Sequence, residues 1–280
     1  MKRFFETLGF VCLICFSFFY TEKTMDVVKE VDEIMVTLKE QEQKYQVPAE
    51  NASIDGDIIT PGISGKIVNR KESYEQMKHY GKFYPSLLKY DKVSPEVSIK
   101  DRYDLYVRSG NPNIRQVSLL FLIEKNTEID SLISILKKEE IGATFFIDAN
   151  WLNQNQERLT ELTETYTIGN YSIGGDYEQD SFTWMNTIIK RIGGQKQGYC
   201  LVTEKNPSAL KHCTQEKNYT IYPSIIVKEN PYTEITSQIK NGSIILLPSH
   251  QQVKEELKTV IAYLKQKGYQ IVTLEQMLTE

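Results

Sequence analysis

Gly142-Ala143-Thr144-Phe145-Phe146-Ile147-Asp148-Ala149-Asn150-Trp151-Leu152 is the stretch on which the fold of this chain turns. Gly142 ends a helical pattern, and Ala143–Ile147 is a short apolar run that reads as a buried strand. Upstream, Glu128–Glu139 is an amphipathic helix built on Ile129, Leu132, Ile133, Ile135 and Leu136. Before it, Val117–Ile123 is a continuous apolar run, as a strand covered on both faces requires. Downstream, Asn153–Tyr166 reads as a helix and Thr167–Asn170 as a third short strand. Further strands are expected near Tyr199–Val202, Tyr219–Val227 and Ser243–Leu247, then a helix over Gln251–Lys267 and a last strand, Gln270–Thr273. Strands and helices alternating at this spacing specify an α/β domain with a parallel sheet. The pattern fits a barrel and a doubly wound sheet equally.

The 280 residues are 40% hydrophobic and 25% charged, the composition of a folded protein. A formal net charge of −4, with scattered basic residues, offers no surface for nucleic acid. At the N-terminus Lys2 and Arg3 precede the apolar run Leu8–Tyr20, a pattern that directs export. No small-x-small cleavage site follows, so residues 1–23 read as an uncleaved anchor in the cell membrane with the main domain extracellular. A cleaved signal peptide and a secreted protein are the alternative. Residues 24–48 read as a helical stalk, with Val28, Val31, Met35, Leu38 and Tyr45 at 3–4 spacing and Pro48 as its stop. Residues 49–115 are rich in turns, carry no chemical motif, and read as a small subdomain or an N-terminal elaboration. Cys200 and Cys213 are the only thiols outside the apolar N-terminal run. In an exported protein they are expected to form a disulfide, with two buried free thiols as the alternative.

The opening stretch resembles the "xATFFxxGxWL" segment of the NodB-homology polysaccharide deacetylases. In that family a helix and then "xxxIGNHSxxH" follow, and here the helix is followed by Thr167-Ile168-Gly169-Asn170-Tyr171-Ser172-Ile173-Gly174-Gly175. Asn241–Leu247 is similar to the family's "GSIILLH", and Lys265–Leu274 to its "LKxKGYxxVTL". The matches keep the family's order across residues 116–280. The resemblance implies a distorted (β/α) barrel of the polysaccharide deacetylase type there, preceded by the membrane anchor and stalk. It also implies a divalent metal held by an Asp and two His, with a second Asp as base, for hydrolysis of N-acetyl amide bonds.

The sequence departs from that chemistry at each position. The family's "TFDDG" falls on Leu120–Glu124, so Leu122 and Ile123 replace both carboxylates. Its "HSxxH" falls on Tyr171–Gly175, so Tyr171 and Gly175 replace both imidazoles. The "RxPY" motif would lie near Tyr199–Val202 without its Arg or Pro, and the closing "LLH" becomes Leu246-Leu247-Pro248. No metal cofactor is expected, because aliphatic side chains, Gly and Pro supply no ligand.

Glu124, Asp148 and His250 remain as candidates for a relocated site on loops that follow strands. Asp176, Glu178 and Asp180 read as solvated loop carboxylates. Tyr171, Tyr177, Trp184, Tyr199 and Tyr222 fall on segments that would line the former groove, where aromatic faces suit sugar rings. The expected function is that of a cell-surface pseudoenzyme binding cell-wall glycan or an envelope protein. A hydrolase of carbon–nitrogen bonds with a rearranged site, and a structural protein of envelope assembly, are the alternatives.

Overall fold

The structure is a computed structural model that describes Ser17, residues 32–194 and residues 197–280. The expected anchor, apart from Ser17, and the start of the expected stalk lie outside the described residues. In chain order the strands are β1 (Ser53–Asp55), β2 (Ile58–Thr60), β3 (Gly65–Val68), β4 (Tyr90–Val93), β5 (Tyr106–Val107), β6 (Gln116–Ile123) and β7 (Thr144–Ile147). They continue with β8 (Thr167–Asn170), β9 (Gly198–Leu201), β10 (Asn218–Ile221), β11 (Ile225–Ile226), β12 (Ile244–Pro248) and β13 (Gln270–Ile271).

The chain divides into two compact units, one ending at Ala49 and resuming over Ser64–Ser94, the other formed by Glu50–Ile63 and Pro95–Glu280. These bounds differ from the expected ones at 48/49 and 115/116. The physical reason is long-range pairing: Val47 bridges Lys66 in the first unit, and Glu50 bridges Ile63 in the second. The chain therefore leaves the first unit at Ala49 and re-enters it at Ser64.

The smaller unit turns the expected stalk into part of a fold. Its helix, Glu33–Gln41, starts where the Asp32 carboxylate accepts from Ile34 N at 2.8 Å. Ile34, Met35 and Leu38 then bury against Val68, Tyr74, Met77 and Leu88 instead of facing solvent. Tyr74 and Met77 come from a second helix, Arg70–Met77, capped by Asn69, and β3 pairs antiparallel with β4. Arg70 holds Glu42 through two hydrogen bonds of 2.6 and 2.5 Å. That guanidinium keeps the Glu42 carboxyl below its usual range.

In the larger unit the strands lie in the order β1-β2-β5-β10-β9-β8-β7-β6-β12-β11, with β13 also pairing β6. All pairs are parallel except β1 with β2. Among the described residues β11 pairs only with β12, and β1 only with β2. The sheet thus curls without closing, the open form of the expected barrel. Alternation along β6 builds both sides. Val117, Leu119, Phe121 and Ile123 join the helix-facing core with Leu132, Leu136, Leu257 and Ile261. Leu120 and Leu122 turn to the inner face with Phe146, Tyr171, Tyr199, Leu201, Tyr219, Ile244 and Leu246. Leu274, Met277 and Leu278 of the last helix, Leu274–Leu278, join that inner cluster. Each such buried side chain contributes on the order of 1.5–3 kcal/mol.

Local elements differ from expectation in several places. The helix expected over Asn153–Tyr166 starts earlier and breaks into Ala149–Gln154 and Gln156–Thr163, because Asn155 leaves helical geometry at φ −133° and ψ 36°. The strand expected over Tyr219–Val227 is split into β10 and β11. An unforeseen helix, Gln179–Gly193, buries Phe182, Met185 and Ile189. The expected disulfide is present: Cys200 of β9 is joined to Cys213 of the helix Pro207–Gln215, their Cα atoms 6.4 Å apart. Closing so short a loop contributes about 3 kcal/mol in the chain-entropy account.

Candidate functional site

The C-terminal ends of β6, β7, β8 and β12 bring most of the degenerate positions together. Leu122 stands in register with Phe146 on one side and Pro248 on the other. Ser249 Oγ donates to the Leu122 carbonyl at 2.7 Å and ties the end of β12 to that of β6. Leu122 and Tyr171 share the inner cluster. Ile123 does not join them, for strand alternation sends it into the helix-facing core, where it is fully buried.

Tyr171 is buried, and Gly175 lies against its phenol. A Cβ built on Gly175 would stand 3.0 Å from the Tyr171 hydroxyl oxygen, and Gly175 has φ +83°, a conformation that side-chain-bearing residues rarely adopt. A side chain at this position would be crowded by the phenol and strained in its backbone. Burial pushes the Tyr171 phenol up, and the negative charges of Glu124 and Asp148 push it further, which places both carboxylates within electrostatic reach of the ring.

The two carboxylates sit in different surroundings. Glu124 is exposed, its backbone N–H donating to Thr127 Oγ1 at 3.1 Å. Asp148 is buried, and backbone amides engage both of its oxygens: Asn150 N at 2.7 Å and Gly174 N at 2.6 Å. It caps the helix Ala149–Gln154 and pins the turn that carries Ser172 at φ 53° and Gly174 at φ 57°. His250 stands apart, exposed, donating from Nε2 to the Lys228 carbonyl at 3.0 Å. Among the described residues no three of His, Cys, Asp and Glu gather as a metal set, and the acidic loop Asp176–Asp180 is no exception. The residues at the family's metal position therefore do not fit a divalent ion.

The five aromatics separate on inspection. Tyr177 is buried, with its hydroxyl 3.0 Å from the Asn170 carbonyl oxygen and 2.7 Å from that of Leu201, and it accepts from Leu201 N at 3.1 Å. Tyr199 is buried in the inner cluster. Burial pushes the phenols of both well above their ordinary range. Both rings lie in the interior, away from the solvent a ligand would come from. Tyr171 joins the inner cluster, Trp184 is exposed on the helix Gln179–Gly193, and Tyr222 is half-buried with Arg108 over its ring. Ser249, Ser172 and the amide of Gly174 were not among the expected site residues.

The larger unit has the fold of the NodB-like polysaccharide deacetylases, the family 4 carbohydrate esterases, with the metal-binding positions degenerate. The chain superposes on BA3943, a family 4 pseudoenzyme from Bacillus anthracis, with a TM-score of 0.67 and 24% identity, covering 89% of this chain and 96% of that one. A mutant of that protein is described as a pseudoenzyme with restored enzymatic activity. Bacillus subtilis PdaA, a family 4 carbohydrate esterase, matches with a TM-score of 0.54 and 21% identity over 64% of this chain and 86% of that one. In sequence, the uncharacterised protein YlxY of Bacillus subtilis (strain 168) is 26% identical over 277 residues, 92% of this chain and 87% of the relative. No protein-family model matches the chain. Among the described residues no helix is long and apolar enough to cross a membrane.

Proposed function

We propose that this chain is a catalytically silent deacetylase-like protein of the cell surface, whose larger unit binds cell-wall glycan or an envelope protein. The observation that carries the reading is Gly175: its φ of +83° and the Tyr171 phenol beside it leave a histidine there strained and crowded. Asp148 supports it, because its two oxygens already serve backbone amides. The likeness to a family pseudoenzyme across 89% of the chain supports it as well. Surface location rests on the basic and apolar N-terminal pattern and on the disulfide, which suits an oxidising compartment.

Calorimetric titration of the protein with zinc, cobalt and manganese is expected to show no site tighter than about 10 μM. Acetylated chitooligosaccharides are expected to release no acetate. A stoichiometric tight metal site, or acetate release abolished by Asp148→Ala, would overturn the silent reading in favour of a rearranged hydrolase.

A further inference from the structure

An open cleft of about 850 Å³ lies in the larger unit, away from the strand-end cluster and sharing no residue with it. Its walls come from the seam where the sheet fails to close. Arg108 and Ser109 follow β5, Ser224 precedes β11, and Lys240 and Ser243 precede β12. Ser109 and Ser243 form an antiparallel backbone bridge across the seam, which fixes the two sides to each other. The volume falls within the range of roughly 300–1,000 Å³ typical of small-molecule sites.

The charge of the cleft opposes that of the chain. The protein carries a net charge of −4, yet the lining includes Arg108 and Lys240 and no carboxylate. Two cations on a low-dielectric wall raise the local concentration of anions. Arg108 is also held in place, its guanidinium carbon lying 4.8 Å from the centroid of the Tyr222 ring. Such stacking uses the flat face of the guanidinium and leaves its in-plane N–H fork for a planar or tetrahedral anion. On the far side Ser243 Oγ accepts from Lys240 N at 3.0 Å. That bond sets the backbone from which the lysine projects and leaves the hydroxyl proton to donate. Hydroxyls and amides line the rest, with Ile225, Ile239 and Pro112 as the apolar floor.

We infer that this cleft binds the phosphate group of a sugar or polyol phosphate, with Arg108 and Lys240 on the anion and the seam's polar side chains on the ligand hydroxyls. Arg supplies the bidentate geometry that phosphate takes, and Lys the second point charge. The inference does not rest on the silent-deacetylase reading. Metal titration and acetate release leave the cleft untouched, so the two can fail separately.

The test is titration of the full-length protein with glycerol 3-phosphate, inorganic phosphate and glycerol, followed by calorimetry or nuclear magnetic resonance. Glycerol 3-phosphate is expected to saturate a single site, inorganic phosphate to bind at least about threefold more weakly, and glycerol not to bind. Arg108→Ala and Lys240→Ala are each expected to weaken binding roughly fivefold or more, and the double variant to abolish it. Both side chains are exposed, so circular dichroism should show unchanged folding. Raising salt from about 20 to about 500 mM should weaken binding several-fold. Absence of saturation, or affinity unmoved in the double variant, would overturn the site. Equal affinity for inorganic phosphate would overturn its assignment to a sugar or polyol ester.

Discussion

The bodies and the C-terminal ends of the same strands follow different rules. The bodies of β6, β7 and β12 are buried and mostly apolar on both faces: Phe121 and Phe145 stack 5.6 Å apart on the helix side, and Leu120, Phe146 and Leu246 fill the inner face. At the ends the backbone turns sharply, Ser172, Gly174 and Gly175 all take positive φ, and polar groups such as Asp148 and Ser249 bond to main chain. The bodies are held by apolar packing, whereas the ends are held by turns and by polar bonds to main chain. Once a metal ceases to be held, the ends can be refilled with aliphatic and aromatic side chains while the sheet stays as it was.

The largest expected effect tests the bodies. The Phe146 ring is fully buried and occupies the space a side chain on Gly169 would need. Phe146→Ala should therefore cost about 3–5 kcal/mol in urea denaturation; a cost under about 1 kcal/mol would mean that the bodies do not carry the stability. At the ends, Asp148→Ala should cost about 1–3 kcal/mol, because it removes a helix cap and leaves two part-buried backbone amide bonds unmade. An unchanged midpoint would break the comparison and return Asp148 to the list of chemical candidates. The smallest effect is a pH dependence. Burial raises the folded-state phenol pKa of Tyr177 and Tyr199, so the stability they contribute is complete below the ordinary phenol value near 10 and is lost as pH rises beyond it. The loss should approach about 1.4 kcal/mol per pH unit for each phenol. Phenolate absorbance and circular dichroism should then change together; phenolate appearing while the dichroism is intact would show that these rings are not locked in the core.

Much of the larger unit was legible because burial on two faces writes itself as unbroken apolar runs. Val117–Ile123 and Ala143–Ile147 match β6 and β7 to within a residue at each end, and Thr167–Asn170 coincides with β8. The helix Gln179–Gly193 was missed although Phe182, Met185 and Ile189 repeat at helical spacing, because the acidic residues before it drew the segment into a loop. The division into units was not legible: it depends on pairings such as Val47 with Lys66, which local spacing does not encode. The emptied metal position could be read residue by residue from the motifs, and the structure brings Leu122, Tyr171, Gly175 and Pro248 to one strand end. What spacing could not reveal was direction. Asp148 looked like a spare carboxylate, and its bonding shows a cap; Tyr177 and Tyr199 looked like groove aromatics, and both are interior.

The hydroxyl of Tyr177 has a further meaning for how the sheet holds together. Strands β8 and β9 share one ladder pair, Asn170 with Cys200, where β7 and β8 share four. The phenol spans that thin border, touching the main chain of both strands. The sheet is thus two leaves with a rivet between them. Partial opening would begin along this line, β6–β8 remaining zipped on one side and β9–β10, stapled by the disulfide to its own helix, on the other.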